Sequence, residues 1–103
     1  MLHRIDRRAS GSELALGLGD ELQIELGENP TTGYRWHVAD AGDVLEETDA
    51  QYARAGTGVG AGGRRTLSFR AVRAGTGRLR LRLMRDEAAT DRFEVTVHVL
   101  PKE

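Results

Sequence analysis

Apolar and polar residues alternate with a period of two along most of the chain, the pattern of strands with one face buried and the other in water. Leu14, Leu16 and Leu18 alternate with Glu13, Ala15 and Gly17, and Leu22, Ile24 and Leu26 with Gln23 and Glu25. Tyr34, Trp36 and Val38 share one parity, with Arg35 and His37 on the other. Leu67, Phe69 and Ala71 restart the pattern, Leu79, Leu81 and Leu83 continue it around Arg80 and Arg82, and Phe93, Val95, Val97 and Val99 complete it before Pro101. Residues 44–54 are less regular. Val44, Leu45 and Tyr52 are interrupted by Glu46, Glu47, Asp49 and Arg54, which predicts a short, irregular edge strand. Seven short strands separated by turn signals about every 8–12 residues predict an all-β fold: a seven-stranded immunoglobulin-like antiparallel β-sandwich with Trp36 buried on its third strand.

Connection lengths then divide the two ends of that sandwich. Gly19-Asp20, residues 41–43 and residues 75–77 are tight turns after the first, third and fifth strands. Segments 28–33, 55–64 and 85–91 follow the second, fourth and sixth, so alternation places three long loops at one end. Function concentrates on loops held by a rigid scaffold. The first loop has unusual chemistry. Pro30 fixes its own φ and pushes Asn29 toward extended backbone, Thr31 and Thr32 are stiff at χ1, and Gly33 can adopt a φ that other residues reach only at a cost. These residues predict a preshaped, uncharged projection, with an ordinary turn containing Asn-Pro and Gly as the alternative. The glycine-rich run at positions 56–63 cannot be a strand, and glycine there lets another chain come close.

Length and composition limit what such an end could do. The 103 residues suit one domain spanning 1–103. No apolar run approaches the roughly 18 residues of a membrane span, and no signal peptide is recognisable, so the protein is cytoplasmic or exported with its signal removed. Without cysteine there is no disulfide, thiol nucleophile or thiolate metal site. Net charge is −1, but residues 1–50 carry eleven acids and four bases whereas residues 51–103 carry five acids and eleven bases. Halves of opposite sign that pack together neutralise one another. The basic half has no aromatic series for base stacking, so no nucleic-acid partner is expected.

Residues 29–34, Asn-Pro-Thr-Thr-Gly-Tyr, with Trp36, resemble the chagasin-like inhibitors of papain-type cysteine peptidases, the I42 inhibitor family. Gly60, Ala61, Gly62 and Gly63 before an alternating strand, and Gly75 before a Leu-rich strand ending at Arg85, continue the resemblance in order over residues 11–99. It implies an immunoglobulin-like sandwich whose three loops fill a peptidase's active-site cleft, reversibly and without being cleaved. Asn29, Pro30, Thr31, Thr32, Gly33 and Tyr34 would enter the catalytic centre, the threonines beside the nucleophilic cysteine. Gly60 to Gly63 would lie along the cleft, and Arg85 would belong to the third contact. The partner implied is a papain-like cysteine peptidase bound by a monomer, with no cofactor, metal or membrane. The third loop departs from the family, which usually reads Arg-Pro-Trp where this chain reads Arg85-Asp86-Glu87. A non-inhibitory immunoglobulin-like binding module with a changed target is the alternative.

Other signals carry less. Residues 58–63 satisfy the glycine spacing of a dinucleotide fingerprint, but a strand follows where that motif needs a helix. His3, His37 and His98 are too far apart in sequence for ligand spacing, and no nucleophile, base and orienting group can be assembled. The chain is therefore not expected to be an enzyme. Arg80 and Arg82 share a face with Arg35 on one flank and Glu94 on the other, a solvated face or a rim for an acidic partner.

Overall fold

The computed structural model describes residues 1–54 and 62–101. Eight strands form two four-stranded sheets: β1 (Leu2–Asp6), β2 (Glu13–Gly17), β3 (Glu21–Glu28), β4 (Arg35–Asp40), β5 (Leu45–Arg54), β6 (Gly63–Ala71), β7 (Gly75–Arg85) and β8 (Ala88–Leu100). One sheet has the order β1-β3-β6-β5 and the other β2-β8-β7-β4. The inward series read from the sequence is the core. Leu22, Ile24, Phe69, Leu79, Leu81, Phe93, Val95 and Val97 are essentially inaccessible, and Trp36 is buried beside them.

Four features differ from the sequence expectation. The strand count is eight rather than seven, because Leu2–Asp6 also pairs. His3 and Ile5 are its only inward apolar-side positions, too weak an alternation to mark a strand. Its register comes from its neighbour, Ile5 lying opposite Ile24. Nor is every pairing antiparallel: β1 runs parallel to β3, and β2 parallel to β8. The chain leaves β1, crosses to the other sheet as β2 and returns as β3, and such a crossover is what a parallel pair requires. Strand β5 is an edge strand with a register shift between Glu47 and Asp49, as its broken pattern suggests, but it is ten residues long rather than short.

The fourth difference concerns the loop end. Residues 85–91 are not a long loop. Strand β7 runs to Arg85, Asp86 and Glu87 turn the chain, and β8 begins at Ala88. The polar composition hides the hairpin, because Ala88, Ala89 and Thr90 extend beyond the core into solvent, where alternation carries no hydrophobic signal. A register shift between Leu83 and Met84 leaves Thr90 as the extra residue of a bulge.

Candidate functional site

The first loop is built from its own hydrogen bonds. Residues Pro30–Thr32 form one 3₁₀ turn, with Asn29 as its N-cap and Gly33 ending it in the left-handed region at φ 79°. Thr31 donates to Asn29 Oδ1 from both its backbone N–H (3.1 Å) and its hydroxyl (2.7 Å). Thr32 Oγ1 donates to the Asn29 carbonyl at 2.7 Å and accepts from Tyr34 N–H at 3.3 Å. Both threonine side chains are therefore used to shape the backbone, yet both residues stay exposed. The loop is a preshaped projection rather than a plain turn.

Gly33 has a packing reason as well as a conformational one. A Cβ there would lie 3.0 Å from Arg85 Cδ. Its bare backbone lets the Arg85 side chain lie against the loop, with the guanidinium 5.0 Å from the Tyr34 ring centroid and Nη1 donating to the Thr32 carbonyl at 3.4 Å. Cation–π contacts of this kind stabilise by about 0.5–1 kcal/mol when exposed. The end of β7 thus buttresses the first loop.

The loop's stem holds a residue that sequence reasoning passed over. Glu28 continues the inward parity of Leu22, Ile24 and Leu26, and its side chain is 1% exposed. Its Oε1 accepts the Trp36 backbone N–H at 2.8 Å, so the last residue before the loop is tied to a residue just past it. Its Oε2 accepts from Arg65 Nη2 at 2.6 Å and Nε at 3.2 Å. Trp36 Nε1 closes the same stem by donating to the Gly27 carbonyl at 2.9 Å. Arg65 lies on the inward face of β6 and rests on Tyr52 of β5, 5.4 Å from the ring centroid. One carboxylate thereby connects both stems of the first loop to the strand that leaves the second. The usable signal was parity: Glu28 and Arg65 each extend an inward apolar series toward the same end of the sandwich.

The second loop is described only at its exit. Gly60 and Ala61 lie outside the described residues, while Gly62 precedes β6 and Gly63 and Arg64 belong to it. Gly63 is glycine for an internal reason, since a Cβ would collide with the Tyr52 hydroxyl and the Ala53 carbonyl. At Gly62 a Cβ would meet only ordinary contacts, the nearest being the Glu28 carbonyl at 3.8 Å.

Five of the described candidate residues converge on one groove. Asn29, Thr32, Tyr34, Gly62, Gly63 and Thr90 line one groove at this end, and Arg85 touches its loop from β7. Two of the three histidines are structurally engaged. His3 lies 2.9 Å from Asp20, and His98 bridges Glu13 at 2.7 Å and Thr76 at 3.0 Å, whereas His37 is exposed. Among the described residues no group of three or more His, Asp or Glu could hold a metal, and no helix is long and apolar enough to cross a membrane.

Several solved structures share this architecture. The cysteine protease inhibitor EhICP2 from Entamoeba histolytica superposes with a TM-score of 0.86 at 18% identity, covering 96% of each chain. Amebosin gives 0.81 at 24% identity over 97% of this chain and 99% of that one. PbICP-C, solved in complex with falcipain-2, gives 0.61 at 14% identity over 97% and 99%. Comparison with curated proteins finds no match. The decisive likeness is to the sequence pattern described as the chagasin family peptidase inhibitor I42, which matches residues 15–99 and contains both the loop and the strands that hold it. By that match over most of its length, the chain belongs to the chagasin family of peptidase inhibitors.

Proposed function

We propose that this protein is a reversible inhibitor of papain-like cysteine peptidases, acting as a single-domain monomer. It inserts loop 29–33 into the active-site cleft and uses segments 55–64 and 85–91 on the flanks. The observation that carries this reading is the exposed Thr31–Thr32 tip, which its own hydrogen bonds and Arg85 already hold in one shape. Little ordering entropy remains to be lost when such a loop binds. The same shape accounts for resistance to cleavage. A substrate segment enters a cleft extended and pairs with it like a strand, and a 3₁₀ turn cannot do so without breaking its own hydrogen bonds. The PbICP-C structure, solved with falcipain-2, supports the idea that this fold docks on another protein.

The test is an inhibition panel of papain-type peptidases at micromolar protein. Competitive inhibition without cleavage is expected for at least one member. The double substitution Thr31→Arg and Thr32→Arg should abolish it while leaving the thermal transition of the fold in place. Full peptidase activity across the panel would refute the reading. The two-residue Asp86-Glu87 turn, standing where the family usually reads Pro-Trp, favours a second one: a binding module of the same scaffold with a changed target. Recovery of a non-peptidase protein through the same tip, from a panel-inactive domain, would favour it.

A further inference from the structure

Most arginines near a carboxylate in this fold are paired with one. On the outer face of the β1-β3-β6-β5 sheet, Arg70 meets Glu21 at 3.3 Å and Arg64 meets Glu25 at 3.7 Å. The outer face of the other sheet is different. His37 on β4, Arg82 on β7 and Arg92 on β8 stand directly opposite one another in register, forming one cationic row across three strands. Arg35 flanks the row from the next outward position of β4. Among the described residues, the side chains of Arg35, Arg82 and Arg92 have no ion-pair partner, and all three residues are exposed.

The nearby acids are already engaged. Glu94 lies 3.2 Å from Arg78 and 3.6 Å from Arg80, Asp91 lies 2.7 Å from Arg7, and Asp40 accepts the Gly42 N–H at 2.8 Å. Like charges directly opposite on adjacent strands destabilise a sheet. An Arg82–Arg92 pair left without a counter-charge therefore gains no stabilisation from its own charges. The row is three residues from Arg85, about 10 Å along the strand at 3.3 Å per residue. That is close to one Debye length at physiological salt. Asp86 and Glu87 lie beyond it at the turn itself.

The geometry points to this face as an electrostatic docking surface for a carboxylate-rich flank of the peptidase whose cleft the tip enters. The inference rests on the inhibitory reading and specifies the partner's charge. A wedge that enters tip-first meets the walls of the cleft with its sides. Guanidinium forks at this height suit paired carboxylates. The row has no Phe, Tyr or Trp on which a base could stack, which favours a protein over a nucleic acid as the occupant. Rim charges act chiefly on the rate of encounter, which they raise about 10-fold or more at low ionic strength, and only slightly on dissociation.

The experiment is stopped-flow association of the wild type, R82Q/R92Q and R82K/R92K with inhibited panel peptidases of acidic and of basic isoelectric point, at about 20 to about 500 mM salt. With the acidic peptidase, the wild-type association rate should fall steeply with salt. R82Q/R92Q should associate about 10-fold more slowly at low salt and show a flattened salt dependence, with dissociation within about twofold. R82K/R92K, which keeps the charge, should retain most of the wild-type rate, and circular dichroism verifies that both variants fold. Equal low-salt rates for the wild type and R82Q/R92Q would overturn the assignment while leaving the inhibitory reading intact. If R82Q/R92Q instead loses only retention on heparin-agarose, the face serves a polyanion and the assignment to the peptidase falls. If the wild type inhibits no panel member, the inhibitory reading fails first and this inference fails with it.

Discussion

A single buried carboxylate decides how firmly the loop is presented. Glu28 is shielded from water and accepts from Trp36 N–H and from the Arg65 guanidinium. Glu28→Gln keeps the shape but removes the charge, leaving Arg65 without its counter-ion. Arg65 is 21% exposed, so water recovers part of the loss. A cost of about 2–3 kcal/mol is expected, below the range for a fully buried pair. Urea unfolding measures it, and an unchanged midpoint would show that the clamp is dispensable. Thr31 and Thr32 could be singled out from sequence because Asn-Pro-Thr-Thr-Gly restricts its own backbone locally. Glu28 was less visible, since a charge beside a loop is ordinarily solvated. Only its place above Leu26 in a closed stack makes it internal.

Two elements show how local context redirects a residue's meaning. Asp86 has φ 52°, a value proline cannot take. Restoring the family's Pro-Trp at positions 86 and 87 therefore conflicts with the hairpin as it stands. Asp86→Pro is expected to destabilise by about 1–3 kcal/mol, whereas Glu87→Trp, at an exposed turn position, should leave the thermal midpoint nearly unchanged. Differential scanning calorimetry separates the two, and equal midpoints would mean that the turn rearranges freely. At the other end, β1 is held to β3 partly through Asp20. A hydrogen bond from His3, then the Gly17 N–H and the Met1 amino group, keep its carboxyl well below the ordinary carboxylate range. A depressed pKa in the folded state means a contribution that is complete above the unfolded value near 3.8 and is lost as pH falls below it. Asp20→Asn should thus be less stable than the wild type at neutral pH and converge with it in acid. A series of melting temperatures from about pH 2 to about pH 7 tests this; parallel curves would exclude Asp20 as the source.

The two halves of the chain, oppositely charged in sequence, meet in three dimensions. Glu21, Glu25 and Glu28 pair with Arg70, Arg64 and Arg65, and Glu13 pairs with His98. The three arginine pairs offset part of the charge asymmetry but, where exposed, stabilise little. With no cysteine in the chain, the sheets are joined by packing and by the hydrogen bonds from Trp36 to Glu28 and Gly27. Phe69 has no accessible surface, and Phe69→Ala should cost about 3–5 kcal/mol. Against the roughly 5–15 kcal/mol that stabilises a domain, this brings the fold near its threshold. Chemical denaturation reads the loss directly, and a change under 1 kcal/mol would mean that the core collapses around the gap.

The sequence alone was enough to determine the class of fold, the inward residues, the position of Trp36 and the stiff loop at 29–33. Each of these depends on neighbours within a few positions, through period-two alternation or local dihedral restriction. Tertiary structure decided the rest: the parallel docking of β1, the hairpin turn at Asp86, the internal reason for Gly63, the clamp of Glu28 on Arg65 and the cationic row across β4, β7 and β8. These depend on register between strands distant in the chain. A side chain's partners there are set by which strands lie side by side, and no local pattern records that.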